Sequence, residues 1–226
     1  MVKAFVNTDN EILAKAAKNL AHISYGINEM ADYQGKLTDS VPYIKCNIKL
    51  PEDTINIVSH LTGIYNFENI LAAVAVGGYF QVEPEKIKKA IENYLPDNNR
   101  SQVVKTKNNT LILDAYNANP TSMKAAISSF EETAYKNKAL ILGEMKELGK
   151  FSGEEHTALV DSVAGKMFDP VIYIGKEYAN INIGNAIYFS STSKLIDYLK
   201  VNPIKDKTIL VKGSRSNKLE DIYNLL

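Results

Sequence analysis

Net charge is missing from this 226-residue sequence, in which 26 lysines and arginines balance 26 acids. No overall field therefore draws it to nucleic acid or an anionic membrane, and a small anionic ligand would have to be held locally. Cysteine occurs once, at Cys46. That excludes an internal disulfide, gives no sign of a metal cluster and fits a reducing cytoplasm. Long apolar runs are missing too. The most apolar stretch, Ile70 to Phe80, contains two glycines, falls short of the ~20 residues of a membrane span and reads as a buried helix. The N-terminal Met1-Val2-Lys3-Ala4-Phe5-Val6-Asn7 lacks the longer apolar core and cleavage site of a signal peptide. No pair of histidines has metal-ligand spacing and no Cys/His or Ser/His/Asp set is visible, so His22, His60 and His156 are read as structural. A Walker-type triphosphate cradle is absent as well: the Gly-Lys pairs at Gly35, Gly149, Gly165 and Gly175 are followed by Leu37, Phe151, Met167 and Glu177.

What is present is the composition of an ordinary globular protein, 45% hydrophobic and 23% charged. The charges divide unevenly. Residues 1–97 hold nine lysines against twelve acids, and residues 98–226 hold seventeen basic residues against fourteen acids. The change falls at Leu95-Pro96-Asp97-Asn98-Asn99, where a helical pattern runs into a proline and small polar residues, and a domain boundary is placed there, between 97 and 98. Beyond it, strand-like runs at Thr110–Leu113, Ala139–Leu142, Val171–Ile174, Ala186–Phe189 and Thr208–Val211 alternate with helical stretches. This predicts an α/β fold with a mainly parallel sheet and helices on both faces, whose ligands sit at the carboxyl ends of the strands. Before the boundary, a strand at Ala4–Val6, a helix from Glu11 to Leu20 and helices starting near Asn66 and Pro84 flank a weakly patterned middle. That part has few strands for its helices and yields no self-contained sheet.

Four junctions could carry chemistry. In Leu113-Asp114-Ala115-Tyr116-Asn117-Ala118-Asn119-Pro120 an apolar strand ends in a carboxylate, a loop holds two asparagines, and Asn119-Pro120 supplies a helix cap and first-turn proline. Asp114 and Asn117 either meet a ligand or only shape the turn. In Val211-Lys212-Gly213-Ser214-Arg215 a strand ends in a cationic turn whose guanidinium, ammonium and hydroxyl suit a carboxylate or phosphate, or simply face water. Arg215 and Arg100 are the two arginines of the chain. With lysine used everywhere else, their scarcity hints that both positions need the fork geometry. Asn66 and Asn69 open a very apolar helix with their amides on one side, placed either to bond a base or an acyl group, or to act as an Asn cap with the second amide bonded to backbone. Finally, Leu142-Gly143-Glu144-Met145-Lys146-Glu147-Leu148-Gly149 puts two acids near the same sheet edge, either to orient a substrate amine or to face water, with solvation as the default.

In order along the chain, these segments resemble the Mur ligases. Gly63–Ala73 is similar to their G-x-[HY]-N-x-x-N helix start, Asp114–Met123 to D-x-Y-N-A-N-P-x-S-M, Leu142–Gly149 to L-G-x-M-x-E-L-G, and Val211–Glu220 to K-G-S-R-x-x-x-L-E. The Asp-Ala-Tyr-Asn-Ala-Asn-Pro string resembles the branch that adds D-alanyl-D-alanine to UDP-N-acetylmuramoyl-tripeptide. The resemblance runs from about Phe5 to the C-terminus. It implies that residues 1–97 are the later part of a central ATPase domain, starting downstream of its P-loop, and that 98–226 are a C-terminal Rossmann-like domain. A fragment of this kind is expected to be inactive alone. The implied chemistry is peptidoglycan-precursor synthesis in the cytoplasm: ATP, with Mg2+, phosphorylates the tripeptide carboxylate, and the dipeptide amine displaces phosphate. By resemblance Asn66, Asn69, Arg100, Asp114 and Asn117 face ATP, while Asn119, Lys212, Ser214 and Arg215 hold the dipeptide and the reacting carboxylate. Alternatives are a folylpolyglutamate- or cyanophycin-type ligase and a non-catalytic nucleotide- or peptide-binding module. Weak self-association through exposed apolar surface is also expected.

Overall fold

The structure, a computed structural model, describes residues 4–96 and 100–226. The chain divides into two compact units, residues 1–95 and 96–226. The boundary expected between 97 and 98 lies outside the described residues.

The first unit holds a five-stranded sheet in sequential order: β1 (Ala4–Asn7), β2 (His22–Gly26), β3 (Tyr33–Asp39), β4 (Lys45–Lys49) and β5 (Thr54–Val58). The first three strands run parallel and the last two complete an antiparallel meander. The weakly patterned middle is therefore four strands, and the expectation that this part lacks a sheet of its own is overturned. Strands of five residues carry only two or three inward apolar side chains each, too few for periodicity to stand out. The clearest of them do alternate: Cys46, Ile48, Ile55 and Ile57 are buried while Asn47, Asn56 and Lys49 face outward or lie between.

Helix α1 (Glu11–Ala17) starts at Asn10, whose side chain accepts from the Ile12 and Leu13 amides, and ends three residues before the expected Leu20. Helix α2 (Tyr65–Tyr79) packs Phe67, Ile70, Leu71, Val74 and Ala75 into a core with Tyr33, Ile44, Cys46, Ile48 and Ile57. Only that face is buried. Phe80, just past the helix, is 68% exposed, so the apolar stretch 70–80 is amphipathic in place. Gly35 on β3 allows this approach, since a Cβ there would meet Leu71 Cδ2 at 2.5 Å and Phe67 at 2.6 Å. Helix α3 (Pro84–Glu92), with proline at its first position, covers β5.

The second unit is a six-stranded sheet of order β10-β9-β8-β11-β7-β6. Its strands are β6 (Gln102–Lys105), β7 (Thr110–Asp114), β8 (Lys138–Gly143), β9 (Val171–Ile174), β10 (Ile187–Phe189) and β11 (Thr208–Lys212). All neighbours are parallel except the β6–β7 edge pair, which the sequence did not signal. Leu111, Leu113, Ile141, Ile174, Ile209 and Val211 pack one face against Leu195 and Leu199 of α6 (Thr192–Val201) and against the C-terminal 3-10 segment. The alternate residues Ile112, Leu140, Leu142 and Leu210 are buried as well, so α4 (Pro120–Glu132) and α5 (Ser152–Val163) complete a three-layer sandwich. Strand β11 is buried at all five residues because it lies inside the sheet and is covered on both faces. No helix among the described residues is long and apolar enough to cross a membrane.

Candidate active-site rim of the second unit

Sheet register decides where the polar turns meet. β11 lies between β7 and β8, with Lys212 opposite Asp114 on one side and Leu142 on the other. The three strands thus end level, and turns 115–119, 213–217 and 144–148 leave one carboxyl edge, the place where an open parallel sheet takes its ligands.

These turns are cross-linked. Lys212 Nζ, 2% exposed, donates to Asp114 Oδ2 at 2.6 Å and to the Asn117 carbonyl at 3.4 Å. The Ser214 amide donates to the Glu144 carbonyl at 3.2 Å. Asn217 Nδ2 donates to the carbonyls of Glu144 and Ser214, each at 3.0 Å. Sequence reasoning missed Asn217. The signal was slight: an amide side chain two residues after Arg215, in a turn short enough for it to fold back on its own backbone. Close backbone approach completes the joint, because a Cβ at Gly213 would meet Gly143 Cα at 2.9 Å.

Each expected residue has a definite place on or below this edge. Asp114 is at the end of β7 with 16% of its side chain exposed. Asn117 is exposed, and its Oδ1 accepts from the Ala118 amide. Asn119 caps α4 through a reciprocal capping box with Ser122. Arg215 is 59% exposed and pairs with Glu220 at 3.6 Å. Ser214 is buried at 5%, and its Oγ has no partner among the described residues. A buried hydroxyl without a partner costs about 1–3 kcal/mol, so its retention beside an exposed guanidinium fits a group that awaits a ligand. Arg100 is exposed and stacks on Tyr116, its Cζ 3.6 Å from the ring centroid. Beneath the rim, burial and then the Glu220 charge raise the Tyr223 phenol above its ordinary range, keeping it protonated.

Glu144 departs from the solvated default: its side chain is 12% exposed, one carboxylate oxygen lies 2.5 Å from Lys146 Nζ and the other accepts from the Glu177 amide at 3.4 Å, and the Glu147 backbone takes a left-handed φ of 65° in the same turn. His156 is fully buried. Its Nε2 accepts from the Met145 amide at 3.0 Å and its Nδ1 lies 2.7 Å from the Ser152 carbonyl, an arrangement that requires the Nδ1–H tautomer.

In the first unit, Asn66 and Asn69 do face one way and bond each other. Asn69 Nδ2 donates to Asn66 Oδ1 at 2.9 Å, and the Asn66 amide donates to the Thr62 carbonyl at 2.7 Å. Asn66 is buried and Asn69 exposed. Among the described residues no group of three or more His, Cys, Asp or Glu side chains could hold a metal ion.

Comparison with known proteins places this geometry. Residues 99–215 match the family described as Mur ligase, glutamate ligase domain, and residues 2–77 match the Mur ligase middle domain. The UDP-N-acetylmuramoyl-tripeptide--D-alanyl-D-alanine ligase of Bacillus subtilis (strain 168) is 33% identical over 224 residues, covering 94% of this chain and 49% of that protein. A crystal structure of MurF from Acinetobacter baumannii superposes with a TM-score of 0.78 at 25% identity, over 93% of this chain and 48% of the other. The MurF ligase of Thermotoga maritima, in complex with ADP, shares the fold with a TM-score of 0.80 at 20% identity, over 99% and 52%. The chain spans about half the length of the curated relatives it matches. With both of its units matched in this way, the chain belongs to the Mur ligase family.

Proposed function

We propose that the chain carries the nucleotide- and dipeptide-binding rim of an ATP-dependent amide-bond ligase of peptidoglycan-precursor synthesis, one that adds D-alanyl-D-alanine to UDP-N-acetylmuramoyl-tripeptide. The observation that carries the reading is the register of β7 and β11, which brings the Asp114 turn and the Lys212–Arg215 turn to one edge. In that reaction the γ-phosphoryl of ATP passes to the tripeptide carboxylate, giving an acyl phosphate and ADP. The dipeptide amine then attacks the acyl carbon, and phosphate leaves from the tetrahedral intermediate as the amide forms.

The residues divide the work by their chemistry. Asp114, an acceptor locked by Lys212, takes ribose hydroxyls, with Asn117 beside it. Arg100 presents in-plane donors to the nucleotide phosphates. Arg215 and the Ser214 hydroxyl take the carboxylate of the dipeptide and the reacting acyl oxygens, near the capped helix start at Asn119. Lys212 contributes through Asp114 rather than by touching the substrate, since its ammonium is buried and already bonded. In the first unit Asn69 Oδ1 is available to an adenine amino group, with Asn66 fixing its amide. For the Mg2+ that the resemblance implies, no group of three or more His, Cys, Asp or Glu side chains comes together among the described residues. The buried single thiol suits a reducing cytoplasm, and Ile12, Met30 and Phe80, exposed on the first unit, suit weak self-association.

Calorimetric titration of the chain with ADP and with D-alanyl-D-alanine tests the reading. Binding of both is expected, with the dipeptide affinity reduced by Ser214→Ala and by Arg215→Lys. Failure of the wild-type chain to bind either ligand would refute it. A reading as a binding module without turnover is favoured, for these 226 residues alone, by one observation, the lack of a G-x-x-x-x-G-K-[ST] segment. Phosphate release by the chain alone, supplied with ATP and both substrates, would rule it out.

A further inference from the structure

Tyr116 stands at the surface where its neighbours turn into the core. Its neighbours Ala115 and Ala118 are buried at 1% and 2%, while its own ring stands 42% exposed in a loop of small polar residues. What it touches is Arg100, whose guanidinium carbon lies 3.6 Å from the ring centroid. That distance is a face-on stack, the geometry in which a planar cation meets the negative face of a ring. Among the described residues Arg100 has no carboxylate partner, in contrast to Arg215, which is paired with Glu220. The stack occupies one face of the guanidinium and leaves its edges open. All five N–H donors lie in the plane, so an Arg100 held this way can still clamp two oxygens of an anion. A long, exposed arginine would otherwise spread over many rotamers and lose that freedom on binding; the ring removes part of the loss beforehand.

We propose that Tyr116 is a positioning residue for Arg100, holding its guanidinium flat so that its edge meets a phosphate of the bound nucleotide. This rests on the reading of the rim as a nucleotide site. The hydroxyl is not needed for the role, and the aromatic face is. Phe is therefore expected to replace Tyr at 116 without loss, and Leu is not, although Leu fills similar space on an exposed loop and leaves the fold intact.

The scarcity of arginine makes the test clean. An 15N-labelled chain has two Arg Nε resonances, and Arg215→Lys identifies the one from Arg100. Ring-current shielding should move the Arg100 signal upfield in the wild type and in Tyr116→Phe, and the displacement should vanish in Tyr116→Leu. ADP titrated into the same samples should bind about two- to five-fold more weakly to Tyr116→Leu than to the wild type, the factor expected of an exposed cation–π contact. Tyr116→Phe should match the wild type. An unshifted Arg100 signal in the wild type overturns the inference. So does Tyr116→Leu retaining full ADP affinity while Arg100→Ala loses it. If Arg100→Ala and Tyr116→Leu both leave ADP affinity unchanged, or the wild type binds no ADP, the nucleotide reading of the rim fails and the inference falls with it.

Discussion

Removing the carboxylate from Asp114 should be among the most damaging single changes in the second unit. Lys212 Nζ is 2.6 Å from Asp114 Oδ2 and 2% exposed, at the end of a strand buried on both faces. At an effective dielectric of about 20, two unit charges at that distance attract by about 6 kcal/mol, against a desolvation cost of several kcal/mol for each ion. The pair is therefore close to balance as a whole. Its halves are not. In Asp114→Ala the ammonium stays buried with one carbonyl at 3.4 Å, that of Asn117, and an uncompensated buried charge of this kind costs about 3–5 kcal/mol. For a unit of this size that corresponds to a fall in Tm of roughly 10–20 °C. Replacing both, Asp114→Ala with Lys212→Met, removes the stranded charge and should recover most of the loss. The assay is a double-mutant cycle in urea followed by far-UV ellipticity. Because the chain has two compact units, the transition of the unit carrying Asp114 must be fitted separately. A loss below about 1 kcal/mol in Asp114→Ala, or a double variant as unstable as the sum of the singles, would refute the reasoning from burial.

Four further outcomes follow from the packing. Gly213→Ala should destabilise the second unit by about 1–3 kcal/mol, since the new methyl meets Gly143 backbone at 2.9 Å; Gly153→Ala, with open space within 4 Å and a helical position, should be neutral or slightly stabilising by denaturant midpoint. Cys46 is fully buried and burial pushes its thiol up to about 12, so it should stay a thiol at pH 8 and react with a disulfide reagent only at the rate at which the first unit opens; prompt labelling would contradict this. His156→Phe should cost about 1–3 kcal/mol in urea unfolding by stranding the buried Met145 amide, and equal stability would show that water takes the place of Nε2.

How much was legible in the chain differed between its units for a physical reason. The inner strands of the second unit, β7, β8, β9 and β11, are largely buried runs such as Leu111-Ile112-Leu113 and Ile209-Leu210-Val211, and such runs declare themselves. The first unit builds its sheet from half-buried strands, with Gly35, Lys36 and Asp39 inside β3, and those read as turns or helix flanks when taken singly. Edge strand β6 escaped notice because its four residues are at most partly buried. Of the two asparagine caps read from the sequence, the one at Asn66 is not formed, since α2 is capped by Ile64 with no side-chain bond. Asn119-Pro120 caps α4 as expected, since capping is a contact within four residues and needs no tertiary context.

The sequence by itself determined the α/β class, the parallel alternation of the second unit, and the residue types gathered at its carboxyl edge, because hydrophobic periodicity and helix caps are local. Which of those residues are free was decided only by tertiary structure. Lys212 and Arg215 look alike as neighbouring cations, yet pairing of β11 with β7 buries the first against Asp114, and the turn beyond it leaves the second in solvent. The same holds for Tyr116 and Arg100, sixteen positions apart, which meet only because β6 and β7 fold back as an antiparallel pair. Burial and partnership are properties of distance in space, and a linear pattern carries them only where space and sequence run together.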